Sequence, residues 1–258
     1  MLLTILGCSG SLPGPDAPSS GYLVEADGFS LAVDFGSGVL AALQAHRDPF
    51  ALGAVLFSHL HPDHCGDFSG LTVLRRYHPD PPYDPTTRPL PVYGPGESPD
   101  RFARAYAESA EELARTDLTD IYRFHAVSDG GTVRIGPFEV TSRRVAHPCE
   151  AYGFRITTPE ASLAYTGDTG PCEALHELAD GVDVLLSEAT WEHAEDRPAD
   201  LHMSGRQAGR LAAAAGVGRL LLTHVAPWTD ARVVLAEARE EFDGPVEPAA
   251  RGKSYRIG

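Results

Sequence analysis

Apolar residues in this chain come mostly in short runs, each closed by a glycine, a proline or a polar turn. Runs at residues 2–6, 21–26 and 30–34 predict an opening group of strands with Gly/Pro turns between them. Asp34-Phe35-Gly36-Ser37-Gly38 leads into a helix over 39–46, and Ala54-Val55-Leu56-Phe57 is the core of a buried strand over 53–57. A helix is predicted over 67–78. Residues 78–91 are expected to form a rim or lid loop, because prolines stand at 79, 81, 82, 85, 89 and 91, with another at 95. An amphipathic helix rich in Ala and Glu is predicted over 99–115. Strands follow near 121–127, 132–135, 138–145, 152–157 and 162–166. The last third alternates: helix 171–179, strand 183–187, helix 204–214, strand 219–223, helix 230–241. No internal repeat and no low-complexity linker interrupts the pattern. A β-rich first half and a β/α second half agree with an α+β chain, read as one domain over residues 1–258.

The strand over 53–57 runs into Ser58-His59-Leu60-His61-Pro62-Asp63-His64-Cys65-Gly66-Asp67. His59, His61, Asp63 and His64 lie within six positions. Imidazole and carboxylate are ordinary zinc ligands, and four of them on one turn outweigh a reading as surface or core histidines. Three later runs also end in a candidate donor: His147 after Val145-Ala146, Asp168 after Ala164-Tyr165-Thr166-Gly167, and His224 after Leu221-Leu222-Thr223. Strand ends at one edge of a sheet are neighbours however far apart they are in sequence. Seven donors suit two metals with three ligands each and one shared carboxylate. His59, His61 and His147 are assigned to one ion, Asp63, His64 and His224 to the other, and Asp168 to the bridge.

The order of these motifs resembles the metallo-β-lactamase superfamily of metallohydrolases. The likeness extends from the first strand to about Trp228. Within the superfamily the chain looks most like the phosphodiesterase branch, which holds the tRNA 3′-end processing enzymes and small bacterial enzymes that open 3′,5′-cyclic AMP. The residues that carry this are Leu6-Gly7-Cys8-Ser9-Gly10-Ser11, Leu74-Arg75-Arg76-Tyr77-His78-Pro79, Tyr165-Thr166-Gly167-Asp168-Thr169-Gly170, Leu201-His202-Met203-Ser204-Gly205 and Leu222-Thr223-His224-Val225-Ala226-Pro227-Trp228-Thr229. The resemblance implies a four-layer αββα sandwich, two mixed sheets packed face to face with helices outside. It also implies two divalent metal ions, zinc first, with manganese and iron as the other ions such a donor set accepts.

Hydrophobic content of 43% and charged content of 22% are ordinary for a globular chain. Net charge is −15, and two divalent ions would raise it only to about −11. A broadly acidic surface disfavours a nucleic-acid polymer, whose binding relies on basic patches. The expected partners are a small anionic phosphodiester and a second copy of the chain in a homodimer, with no membrane. The start, Met1-Leu2-Leu3-Thr4-Ile5-Leu6, has no basic segment and breaks at Gly7, unlike a signal peptide. No apolar stretch approaches the roughly 18 residues that span a bilayer. The four cysteines form no CxxC pair, so a cytoplasmic protein with free thiols is expected. Cys65 and Cys149, beside proposed ligands, are read as packing residues.

Bridged divalent ions lower the pKa of bound water to about 7, so hydroxide is available at neutral pH, and a site of small net positive charge attracts a phosphodiester. The leaving alkoxide still needs a proton. His202, just before a predicted helix, is not needed as a ligand. In the resembling phosphodiesterases the histidine of the H-x-S/T motif is the proton donor, which implies that role for His202. Glu188, in Leu186-Ser187-Glu188, is expected to orient it, and Asp63 is counted as catalytic as well as a ligand. The tRNA-processing enzymes usually have histidine where Ser187 stands, so the chain departs from them there. The remaining histidines (His46, His78, His125, His176, His193) are read as surface or packing residues. Arg75, Arg76, Arg143 and Arg144 are read as solvated, with a phosphate contact by one of them as the alternative. Trp228 and Tyr152 are candidates for stacking on a base, with core packing the preferred reading. Ser9-Gly10-Ser11 is read as a tight turn, with amide contacts to a phosphate as the alternative.

The leading expectation is a dinuclear phosphodiesterase for cyclic nucleotides, cyclic AMP first. The tRNA-processing endonucleases carry a long tRNA-gripping arm between the His147 and Asp168 motifs, and only 21 residues separate the two here. A β-lactamase would want an export signal, a redox di-iron protein a carboxylate in place of His61. A metal-bearing sensor or binding module is the non-enzyme alternative, which an intact donor set together with His202 disfavours.

Overall fold

A computed structural model describes residues 1–258. The first half contains β1 (Leu2–Gly7), β2 (Gly21–Ala26), β3 (Phe29–Val33), α1 (Val39–Gln44), β4 (Ala54–Leu56), α2 (Pro62–Cys65), α3 (Phe68–Tyr77), β5 (Leu90–Gly94), α4 (Ser98–Tyr106), α5 (Ala110–Leu113) and β6 (Tyr122–Ala126). The second half contains β7 (Thr132–Ile135), β8 (Phe138–Arg144), β9 (Tyr152–Thr158), β10 (Ala161–Tyr165), α6 (Glu173–Ala179), β11 (Val184–Glu188), α7 (Gly205–Ala215), β12 (Leu220–Thr223), α8 (Ala231–Glu241), β13 (Val246–Pro248) and β14 (Ser254–Arg256).

The strands make two seven-stranded sheets, β14-β1-β2-β3-β4-β5-β6 and β13-β12-β11-β10-β9-β8-β7. Both are mixed: β1 to β3 and β7 to β10 pair antiparallel, while β3 to β6 and β10 to β13 pair parallel. Side chains alternate across each strand, so every sheet has two faces to bury. Leu3, Ile5, Tyr22 and Val24 meet Phe138, Phe154, Ile156 and Tyr165 between the sheets. Leu6, Leu23 and Val55, on the opposite face, pack under Val39 of α1, Leu71 of α3 and Phe102 of α4. Leu185, Leu220 and Leu222 pack under Leu175 of α6, Leu211 of α7 and Val234 of α8. The result is the expected four-layer αββα sandwich of the α+β class. Double-sided burial is also why these strands read as continuous apolar runs rather than alternating ones.

Four local features differ from the sequence expectation. The proline-rich stretch ends in a central strand, β5, not in loop. Pro91 lacks one ladder donor, worth roughly 0.5–1.5 kcal/mol, but Leu90 and Val92 beside it are buried, at roughly 1.5–3 kcal/mol each. The helix expected over 99–115 is broken. Ser109 is extended and its hydroxyl accepts from Glu112 N, starting the new turn of α5, while Ala107 ends α4 in an extended conformation. The short strands β13 and β14 were not foreseen, because three residues carry no readable period. Arg75 is not solvated. It is buried, with its guanidinium hydrogen-bonded to Arg88 O and Tyr83 Oη and packed on the Tyr122 ring. No helix is long and apolar enough to cross a membrane.

The topology fixes where the chemistry lies. The donor segments follow the C-terminal ends of β3, β4, β8, β10, β11 and β12, and all these strands leave their sheets at one edge of the sandwich. Ligands of open α/β sheets gather at such an edge.

Candidate metal centre

Three turns build the first cluster. The segment after β4 supplies His59 and His61, and the segment after β8 supplies His147. His61 Nδ1 lies 3.1 Å from His59 Nε2 and 3.2 Å from His147 Nε2. The hydrogen-bond network decides which nitrogens carry protons. His147 Nδ1 faces the Leu201 carbonyl, which can only accept, so that nitrogen is protonated and Nε2 carries a lone pair. The Ser58 hydroxyl donates to Asp34 Oδ2, so it accepts from His59 Nδ1, and His59 Nε2 is likewise free. A proton on His61 Nδ1 could satisfy only one of these two neighbours. Ring nitrogens bound at about 2.0–2.1 Å around a tetrahedral zinc stand about 3.3–3.4 Å apart, close to the separations seen. Burial lowers the pKa of all three imidazoles, most for His59, so they are neutral and able to donate at pH 7. The Cys149 sulfur also lies within 4.8 Å of these nitrogens, and burial raises the pKa of its thiol.

The second cluster is Asp63, His64, Asp168 and His224, all buried. The single turn of α2 presents Asp63 and His64 together. His224 Nε2 is 3.1 Å from Asp63 Oδ2 and 3.2 Å from Asp168 Oδ2. His64 Nε2 and Asp168 Oδ1 are 3.1 Å apart, yet neither has a hydrogen-bond partner. Orphaned polar atoms at this depth cost roughly 1–3 kcal/mol each unless something else engages them, and a divalent cation would. The electrostatics agree. Burial pushes the His64 pKa down, but Asp168 and Asp34 outweigh it and hold the ring well above its usual range, so the site demands positive charge. Asp63 and Asp168 are opposed by burial too, but the histidines beside them hold both below the carboxylate range. The donor set therefore fits divalent metal ions. Asp168 leans toward the second cluster, with its Oδ2 3.8 Å from His59 Nε2.

Around these donors lies a shell that sequence reading passed over. Asp34, at the end of β3, accepts from His64 Nδ1 (2.7 Å), Ser58 N (2.7 Å), Ser58 Oγ (2.8 Å) and Tyr165 Oη (2.8 Å). It and His224 both hold positive φ, about 56°, a conformation that non-glycine residues adopt at a cost. The only signal in the sequence was an acidic residue closing an apolar strand. Thr190 donates to Glu188 Oε2 and accepts from His224 Nδ1, which leaves His224 Nε2 aimed at the aspartates. Gly10 stacks on the His224 backbone so closely that a Cβ there would collide with its carbonyl, which explains the glycine. Ser11 N lies 3.4 Å from His224 Nε2, placing the Ser9-Gly10-Ser11 turn beside the donors.

His202 stands against both clusters. Its ring centroid is 5.6 Å from that of His147 and 5.3 Å from that of His224. Its Nδ1 donates to Glu188 Oε1 at 2.9 Å. Glu188, fully buried at the end of β11, also accepts from Thr169 N, Thr190 Oγ1 and Met203 N. Burial would lower the His202 pKa, but the Glu188 carboxylate raises it to about 9. The Ser204 hydroxyl caps α7 in a capping box with Gln207, which fixes the turn that carries His202.

The other expectations divide. Tyr152 is core, as read. Trp228 is not: it is 70% exposed. His78 packs on Phe50, His125 on Tyr93, and His193 pairs with Ser204, so these stay outside the donor clusters.

Comparison with known proteins places this site in context. The model of the β-lactamase superfamily domain matches residues 31–225. A Mycobacterium leprae protein described as uncharacterized is 50% identical over 260 residues, covering 99% of this chain and 88% of its own. Ribonuclease Z of Mycobacterium bovis is 32% identical over 251 residues, 87% of this chain and 86% of that one. The crystal structure of YhfI, a metallo-β-lactamase fold protein of Bacillus subtilis, aligns with a TM-score of 0.84 at 29% identity over 99% of both chains.

Proposed function

Because the chain belongs to the metallo-β-lactamase superfamily and is a metal-dependent hydrolase, we propose that it is a phosphodiesterase that opens 3′,5′-cyclic nucleotides, cyclic AMP first among them. One observation carries the reading: a histidine outside the seven donors, His202, is held by a buried glutamate against both clusters. Hydrolysis of a phosphodiester with an alkoxide leaving group needs a proton donor beside an electrophilic centre.

His59, His61 and His147 would hold one divalent ion, zinc first, and Asp63, His64 and His224 the other, with Asp168 between them. Bound there, two such ions would supply an acidified water and stabilise charge developing on phosphate oxygens. The chain's own residues do the rest. Water adds its oxygen to phosphorus and releases a proton to solvent, the P–O bond to the ribose oxygen breaks, and His202 Nε2 delivers a proton to that oxygen. Glu188 keeps the His202 ring protonated and turned the right way. Asp34 and Thr190 engage the Nδ1 atoms of His64 and His224, which leaves both Nε2 atoms facing the aspartates of the donor cluster.

Likeness to ribonuclease Z favours a second reading, cleavage at the 3′ end of precursor tRNA. The net charge of −15 weighs against a polynucleotide, as does the interval between His147 and Asp168, which the hairpin of β9 and β10 takes up. The deciding experiment assays metal-loaded enzyme on cyclic mononucleotides, linear dinucleotides and precursor tRNA. Cyclic AMP should turn over fastest. Preferred cleavage of precursor tRNA would replace the first reading by the second.

A further inference from the structure

Beside His202 lies a cavity of about 420 Å³, within the usual range of small-ligand sites. Ser11, Trp191, Arg197, Leu201, His202 and Trp228 are among its lining residues. The chain has two tryptophans, and both line this one cavity. Trp191 meets the His202 ring edge to face at 5.2 Å. The Arg197 guanidinium lies over the Trp191 ring at 5.1 Å and engages no carboxylate. A scattered exposed apolar side chain needs no explanation. Trp228, however, leaves 70% of its surface in water at the mouth of a polar site, four residues after His224. Every nucleobase has a π-face, and an open indole beside an arginine plane is what base recognition uses.

We propose that this cavity receives the base of the substrate nucleotide, stacked on Trp228, with the Trp191–Arg197 pair as the second planar surface. The inference rests on the phosphodiesterase reading, in which His202, a lining residue of the same cavity, serves the scissile phosphate. Trp228 and Arg197 then set substrate class: they favour esters that carry an aromatic heterocycle over those that carry only sugar or alkyl groups.

The two tryptophans make the protein its own reporter. The metal-loaded chain is titrated with 5′-AMP and with ribose 5-phosphate, which differ by the base alone, following intrinsic fluorescence and binding heat. 5′-AMP should quench the emission, and ribose 5-phosphate should leave it nearly unchanged. Trp228→Ala should weaken 5′-AMP binding by roughly 5- to 100-fold, the value of one stacked base, and leave ribose 5-phosphate binding as it was. Trp228→Phe should restore most of the loss. Unchanged 5′-AMP affinity in Trp228→Ala, or equal losses for both ligands, would overturn the subsite. Turnover of cyclic AMP is measured in parallel. A chain that binds 5′-AMP through Trp228 but cleaves no cyclic nucleotide keeps the subsite and loses the activity. A chain that cleaves cyclic AMP with Trp228 indifferent keeps the activity and loses the subsite.

Discussion

Asp34 Oδ2 accepts from His64 Nδ1 at 2.7 Å, and both side chains are closed off from solvent. This contact sets the tautomer of His64, directs its Nε2 into the donor cluster and places a buried negative charge behind it. Carboxylates in this position raise ligand basicity and hold ring orientation.

Replacing Asp34 by Asn should therefore weaken metal binding without removing a donor. The amide is nearly isosteric, but it loses the charge and keeps only one acceptor oxygen for His64, Ser58 and Tyr165. Metal affinity, measured by competition with a chelator, should fall about 10- to 100-fold. An affinity equal to that of the parent chain would show that His64 needs no such support.

Asp63→Ala and Asp168→Ala remove negative donors from a cluster whose histidines then face uncompensated positive charge. Each variant should bind one ion fewer than the parent chain, as counted by elemental analysis, and should lose nearly all turnover. Retention of both ions at parental activity in either variant would show that the donor set is drawn wrongly.

His202→Ala tests proton delivery apart from metal binding. Both ions should remain, and the rate on a cyclic nucleotide should fall about 10²–10⁴-fold, the usual contribution of a positioned acid. A nitrophenyl phosphodiester, whose leaving group departs without a proton, should lose much less. Equal losses on both substrates would make His202 a phosphate-positioning residue instead.

The pH profile addresses Glu188. Burial opposes a proton on His202, but the Glu188 carboxylate raises its pKa to about 9, so the acid form exists below that pH and activity should decline as pH rises through it. Bound divalent ions repel the same proton and move the limb downward in every variant, so the comparison between variants is the readout. Glu188→Gln removes the attraction and should shift the alkaline limb of kcat to lower pH. A limb at the same pH in both proteins would rule out His202 as the group that titrates.

The sequence alone determined the candidate donors and the layers. His59, His61, Asp63 and His64 are legible because they sit on one turn, where contact follows from chain connectivity, and the strands are legible because two buried faces force unbroken apolar runs. Tertiary structure decided whatever depends on distant segments meeting. Asp34 looks like any acidic strand end until the fold sets it behind His64, 30 residues away. Trp228 looks like core until the turn after β12 is seen to leave it at the mouth of a cavity. Pro91 reads as loop until burial of Leu90 and Val92 outweighs one missing donor, and Ser109 starts a new turn where composition would continue one helix. Periodicity reports which face of an element is apolar, whereas the nitrogen of a histidine that stays free is set by the partner that takes its other proton, and that partner arrives only with packing.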